Sequence, residues 1–138
     1  MNKMKIEFIS KSKNESFARS VASAFVLELD PTVQELSEIK TAVSEAVTNA
    51  IIHGYKNELG NVTIEGFIDN GEVIFIISDK GIGIDNVDKA MEPMYTGSDD
   101  GERSGLGFTI METFMDELEV KSVPGCGTTV RMRKKIGR

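Results

Sequence analysis

The chain has 138 residues, of which 40% are hydrophobic, and a formal net charge of −6. A chain of this length can bury a hydrophobic core without cross-links, and its one cysteine, Cys126, excludes an intrachain disulfide. We expect a single cytoplasmic domain over residues 1–138, because no apolar run has the length of a membrane span and the N-terminus does not resemble a secretion signal. The acidic net charge argues against direct nucleic-acid binding, and we interpret the basic residues near the C-terminus as a solvated edge strand.

Hydrophobic spacing predicts five strands and three helices. The predicted strands cover residues 4–9, 61–68, 72–78, 118–123 and 128–133, and the predicted helices cover 14–29, 31 to about 54, and 107–115. Thr32 and Glu35 can form a capping box at the start of the second helix, and Asp69-Asn70-Gly71 is typical of a hairpin turn. Because both element types have apolar faces, we expect an α/β (α+β) two-layer sandwich with helices on one face of a mixed, mostly antiparallel sheet.

A stripe of polar residues lies along the second predicted helix, at Glu45, Asn49 and His53. Four-residue spacing at about 100° per residue stacks these side chains on one face, about 120° from the apolar stripe. The stripe therefore does not point into the core. His53 alone indicates a helix-capping or dipole-compensating group rather than a catalytic one.

The segment Asp79-Lys80-Gly81-Ile82-Gly83 places one carboxylate at the end of a predicted strand. A calcium loop is disfavoured, because glycines occupy the positions of its second and third oxygen ligands. A dinucleotide fingerprint lacks its third glycine, and no P-loop motif occurs. An ionised Asp79 is an acceptor and suits an exocyclic amine such as adenine N6.

The segment Arg103-Ser104-Gly105-Leu106-Gly107-Phe108 joins a long loop to the last predicted helix. Free N–H groups and the helix dipole make such a junction an anion site, and glycines let a phosphate approach. Arg103 is the only cation between residues 91 and 104, so we expect it either to bind phosphate or to pair with Glu102 or Asp100. Residues 80–104 are long for a loop, and we expect 91–104 to form a lid.

Three motifs together resemble the boxes of the GHKL ATP-binding fold. They are E-x-x-x-N-A-x-x-H-G at residues 45–54, D-x-G-x-G at 79–83 and G-x-G at 105–107. The resemblance implies ATP or ADP with Mg²⁺, with Asn49 as the metal ligand and Glu45 as the catalytic base. It implies adenine contacts from Asp79, Gly81, Gly83 and Thr128, and phosphate contacts from Arg103, Ser104, Gly105 and Gly107. Many related lids carry a lysine, whereas Tyr95-Thr96-Gly97-Ser98 has none, which leaves the γ-phosphate to Arg103.

Within that superfamily, residues 45–54 and 102–112 are similar to those of the anti-sigma factor kinases. This resemblance implies a homodimeric serine kinase that phosphorylates an anti-anti-sigma factor and holds a sporulation sigma factor, sigma F, inactive. Two alternatives stay open: a non-catalytic, ATP-gated binding module, and the equivalent kinase of a stress-response sigma pathway. A sensor histidine kinase is not expected, because its phospho-accepting histidine lies on a separate helix pair.

Overall fold

The computed structural model describes residues 1–55, 58–84, 86–91 and 106–137. Its strands are β1 (Asn2–Ile9), β2 (Asn61–Asp69), β3 (Glu72–Asp79), β4 (Glu117–Val123) and β5 (Gly127–Lys135). Its helices are α1 (Asn14–Val26), α2 (Val33–Thr48), α3 (Val87–Ala90) and α4 (Gly107–Phe114). A 3₁₀ turn (Leu27–Leu29) continues α1, and a π-helical turn (Asn49–Gly54) continues α2.

The five strands form one sheet in the order β1-β2-β3-β5-β4. All four neighbouring pairs are antiparallel, so the described sheet is entirely antiparallel, whereas a mixed, mostly antiparallel sheet was expected. Helix α2 packs between α1 and α4, and the helices cover the sheet face that carries Val62, Ile64 and Phe75, all fully buried. The predicted two-layer sandwich is confirmed.

The start of α2 has the predicted capping box. Thr32 Oγ1 accepts from the Glu35 N–H at 3.0 Å, and Glu35 Oε1 accepts from the Thr32 N–H at 2.9 Å. The second carboxylate oxygen of Glu35 accepts from the Gly137 N–H at 3.0 Å. Hydrogen bonds from the Gly137 and Thr32 backbones lower the pKa of Glu35, because they stabilise its charged form. This carboxylate therefore joins the start of α2 to the residues after β5.

Most predicted boundaries agree with the structure, and the exceptions have local causes. The β2–β3 hairpin turns at Asn70 and Gly71, whose φ values of 50° and 76° suit a tight hairpin turn. Helix α1 ends three residues early in its 3₁₀ turn. The loop expected from residue 80 includes the short helix α3, because the Asn86 side chain accepts from the Lys89 N–H at 3.0 Å and caps it. Of the predicted lid, residues 92–104 lie outside the described residues.

The basic C-terminal residues were expected on an edge strand, and this prediction is wrong. The described members, Arg131, Arg133, Lys134 and Lys135, lie on β5, which is flanked by β3 and β4. Arg133 contacts Glu72 at 2.7 Å and Glu117 at 3.5 Å, and Arg131 contacts Glu117 at 3.1 Å. Neighbouring strands on both sides thus supply acidic partners, which a pattern of charges along one segment does not reveal. Within the described ranges, no helix is long and apolar enough to cross a membrane.

Candidate functional site

The polar stripe of α2 lies at the border of the core, as the helical spacing predicts. Glu45, Asn49 and His53 are each half-buried, whereas the neighbouring Ala46 and Val47 are buried. Asn49 begins the π-helical turn, and its N–H points to the carbonyl oxygens of both Ala46 and Glu45. The helix therefore changes its hydrogen-bond pattern at the residue that the resemblance assigns to the metal.

The π-helical turn brings Gly54 against Asp79. The Tyr55 N–H donates to Ala50 O at 3.2 Å, five residues back, which is the π pattern. A Cβ atom added to Gly54 would lie 2.8 Å from Asp79 Oδ1, so any larger residue would force the Asp79 carboxylate to shift. The Gly54 carbonyl also accepts from the Ile82 N–H at 2.9 Å. One end of the helix thus contacts both the strand end and the loop that follows it.

Asp79 is a buried carboxylate at the end of β3, with only 6% of its surface exposed. Its Oδ1 accepts from the Gly81 N–H at 2.9 Å. Burial raises the pKa of Asp79, and the backbone N–H groups of Gly81 and Thr128 act in the opposite direction. Asp79 is also the register partner of Thr128 on β5, which is 4% exposed. The structure therefore brings together Asp79, Gly81 and Thr128, three of the residues to which the resemblance assigns adenine contacts.

The loop after Asp79 is held between the π-helical turn and the β4–β5 turn. A Cβ on Gly81 would overlap the Gly54 carbonyl oxygen, and a Cβ on Gly83, at φ 76°, would overlap the Val123 carbonyl. The Gly125 N–H donates to Ile82 O at 2.6 Å and so joins the loop to the β4–β5 turn. These glycines therefore serve backbone packing, which fixes the direction in which the Asp79 carboxylate is presented.

Three residues of this site were missed from the sequence. The Tyr55 hydroxyl donates to Asn61 O at 2.8 Å and accepts from the Lys80 N–H at 2.7 Å. Gly127 has φ 115°, and a Cβ there would overlap the Asp79 carbonyl oxygen. The Ser122 hydroxyl contacts Thr128 Oγ1 at 2.8 Å. The available signals were an aromatic residue directly after Gly54 and a glycine directly before Thr128.

The other end of the site joins α2 to α4. Gly107 is the first residue of α4, and a Cβ placed on it would lie 3.1 Å from Glu45 Oε1. At about 1.5 Å per residue, Glu45 lies roughly 13 Å along the helix from Gly54. The site is therefore elongated, with Asp79 at one end and the α4 N-terminus beside Glu45 at the other. Arg103, Ser104 and Gly105, the predicted phosphate contacts, lie outside the described residues.

Metal-binding side chains do not cluster in the part of the chain that the structure describes. No group of three or more His, Cys, Asp or Glu side chains in these ranges could hold a metal ion. Asn49, the predicted ligand, offers one amide oxygen, a donor type that Mg²⁺ accepts together with waters and substrate phosphates.

The fold and these residues agree with a family match. Residues 10–134 match the family model described as Histidine kinase-like ATPase domain, and the chain therefore belongs to the family of histidine kinase-like ATPase domains. An ATP-binding fold of this class was predicted from the three glycine-containing boxes, and the match confirms it.

Curated relatives of nearly equal length are anti-sigma F factors. The chain is 57% identical over 136 residues to the anti-sigma F factor of Thermoanaerobacter sp. (strain X514), across 99% of this chain and 95% of the relative. It is 62% identical over 136 residues to that of Clostridium beijerinckii, across 98% and 95%. These matches confirm the resemblance to the anti-sigma F factors.

A solved structure with the same fold has a distant sequence. The RsbU and RsbW domains of Rv1364c from Mycobacterium tuberculosis align with 100% of this chain at a TM-score of 0.73 and 18% identity. The chain spans only 33% of the length of that protein. At this level of identity the likeness shows the fold alone.

Proposed function

We propose that the chain is an anti-sigma factor and an ATP-dependent protein serine kinase. It binds a sporulation sigma factor, sigma F, and blocks its use by RNA polymerase. It also phosphorylates a serine of an anti-anti-sigma factor and so inactivates that partner. The observation that carries the proposal is the buried Asp79 carboxylate packed between Gly54 and Gly81, in a chain 57–62% identical to anti-sigma F factors.

Adenine binds at Asp79 in this proposal. An ionised carboxylate accepts hydrogen bonds only, so it selects the 6-amino group of adenine over a 6-oxo group. Gly81 and Gly83 hold the loop beside it through their backbone contacts with Gly54 and Val123. The 6-amino group of adenine therefore meets a rigid acceptor, which supports selection of adenine independently of the phosphate contacts.

The phosphates lie toward the N-terminus of α4, where Arg103, Ser104, Gly105 and Gly107 supply N–H groups and one guanidinium. A helix N-terminus favours anions through its free N–H groups and its dipole. Gly107 lies at this N-terminus, and a side chain there would crowd the Glu45 carboxylate. In this proposal the elongated site binds the uncharged adenine ring at one end and the anionic phosphates at the other.

Glu45 acts as the general base. It accepts the proton of the substrate serine hydroxyl while that oxygen bonds to the γ-phosphorus and the bond to the β–γ bridging oxygen breaks. Its carboxylate lies beside Gly107, at the end of the site where the γ-phosphate is expected. Asn49 would hold Mg²⁺ through its amide oxygen, and the ion would supply positive charge against the phosphates.

The partners follow from the relatives' names and from the family resemblance rather than from a described surface. We propose a cytoplasmic homodimer in which ATP, rather than ADP, favours binding of the sigma factor. The equivalent kinase of a stress-response sigma pathway would have the same site and different partners. A non-catalytic, ATP-gated binding module would keep Asp79 and the glycines but would not need a base at Glu45.

Transfer of labelled phosphate from ATP to a purified anti-anti-sigma factor tests the proposal. We expect incorporation on serine with the wild type, and its loss in Asn49→Ala with a reduced Mg²⁺ dependence of ATP affinity. Gln34→Ala is the matched control, because Gln34 is an exposed amide on the same helix. Nucleotide binding without transfer to any partner would favour the binding module. Absence of ATP and ADP binding in calorimetry would refute the proposal.

A further inference from the structure

The Ser122 hydroxyl lies at the centre of three polar contacts beside the proposed adenine site. It accepts from the Ile84 N–H at 2.7 Å, donates to Gly127 O at 3.0 Å and contacts Thr128 Oγ1 at 2.8 Å. Ser122 and Thr128 are register partners across β4 and β5, and Thr128 is the register partner of Asp79 across β5 and β3. The three polar side chains therefore form one row across three strands.

A hydroxyl has one proton and two lone pairs, which fixes the direction of each bond in this row. A carbonyl oxygen cannot donate, so the contact with Gly127 O uses the proton of Ser122. The Ile84 N–H occupies one lone pair of Ser122. The remaining contact then requires Thr128 to donate to the second lone pair. This is the arrangement that satisfies all three contacts at once.

Thr128 is left with acceptor capacity alone. Its one proton is directed to Ser122, so any ligand group that reaches Oγ1 must donate a hydrogen bond. Asp79, its neighbour on β3, is likewise an acceptor when ionised. An exocyclic amine brings two hydrogens to such a pair, whereas a carbonyl oxygen brings lone pairs against lone pairs.

We propose that Ser122 is a specificity-determining positioning residue: it orients the Thr128 hydroxyl so that the site accepts a 6-aminopurine and rejects a 6-oxopurine. The inference rests on the proposed nucleotide binding and deepens it. Without Ser122, the Thr128 proton is free to rotate toward the ligand and donate to a 6-oxo group. Loss of Ser122 therefore relaxes the choice of base rather than simply weakening binding.

The test compares ADP with inosine diphosphate, which differ at the 6-position, by calorimetry on the wild type and on Ser122→Ala. We expect the wild type to prefer ADP, and the ratio of the two dissociation constants to fall by about three- to tenfold in Ser122→Ala, the effect of one neutral hydrogen bond. Ser122→Thr keeps the hydroxyl and should restore the ratio. Ser78→Ala is the matched control, since Ser78 precedes Asp79 on β3 and faces the other side of the sheet.

Urea unfolding of each variant checks that a change in nucleotide affinity is not a loss of folding. Thr128→Val is a further variant for the same affinity measurement. Thr128→Val should lower the same ratio, and the double variant should lower it no further, because the two side chains act as one unit. Equal loss of affinity for both nucleotides in Ser122→Ala, with the ratio unchanged, would overturn the inference and leave nucleotide binding intact. A wild type that binds neither nucleotide would refute the proposed function and this inference with it.

Discussion

Replacing Gly81 with alanine tests whether backbone packing around Asp79 stabilises the fold. The φ of Gly81 is not in the left-handed region, so alanine there does not require a left-handed backbone. The added Cβ would instead overlap the Gly54 carbonyl oxygen, which accepts from the Ile82 N–H at 2.9 Å. The loop and the π-helical turn must therefore move apart.

The expected cost follows from these contacts. Overpacking against backbone costs about 1–3 kcal/mol, and loss of one neutral hydrogen bond adds about 0.5–1.5 kcal/mol. We expect Gly81→Ala to lower the free energy of unfolding by about 2–4 kcal/mol. With an m-value of about 2 kcal/mol/M, the urea midpoint should fall by about 1–2 M.

Gly71→Ala is the control, because it separates backbone strain from steric overlap. Gly71 has φ 76° and nothing within 4 Å of an added Cβ, so alanine there is strained but not crowded. That strain is worth about 1–2 kcal/mol. Calorimetry should show weaker ADP binding by Gly81→Ala, since the Asp79 carboxylate shifts, and unchanged binding by Gly71→Ala. A Gly81→Ala protein as stable as the wild type, with unchanged ADP affinity, would refute the reasoning.

Three further predictions concern single charged groups. Glu45→Ala should reduce phosphoryl transfer about 10²- to 10⁴-fold while ATP affinity stays within several-fold, and unchanged turnover would exclude Glu45 as the base. Burial raises the pKa of Asp79, so above about pH 4 the unliganded folded state binds more protons than the unfolded state. The free energy of unfolding of the wild type should therefore decline as pH rises through that window. Urea midpoints should depend less on pH in Asp79→Asn. Lys134→Met removes a 2.7 Å hydrogen bond to Phe114 O and a 3.2 Å ion pair with Glu38. Thermal unfolding should show that the free energy of unfolding falls by about 1–3 kcal/mol. The exposed control Lys135→Met should not show this loss.

The parts of the fold that sequence predicts well are those with local causes. The Thr32–Glu35 capping box needs only four consecutive residues, and the Asn70-Gly71 turn needs only two that tolerate positive φ. The border position of Glu45 and Asn49 follows from helical periodicity alone. Local chemistry therefore accounts for element order, for most boundaries and for which face of α2 carries polar groups.

The missed residues depend on contacts between distant segments. Ser122 and Ile84 are 38 residues apart, and Tyr55 and Lys80 are 25 apart, so no short motif records either hydrogen bond. Serine and tyrosine are also common in strands and loops without any role in a site. The edge-strand error for the basic C-terminus has the same origin, because strand order is a property of the whole chain.

The π-helical turn explains why one part of α2 serves both ends of the site. A π turn uses i→i+5 hydrogen bonds and is rare in proteins, so tertiary contacts are expected to stabilise it. Here the contacts are the Gly54 carbonyl with Ile82 N and the Tyr55 hydroxyl with Lys80 N, both in the loop after Asp79. Because Asn49 opens this turn and Gly54 closes it against Asp79, the proposed metal ligand and the proposed adenine contact lie at the two ends of six consecutive residues.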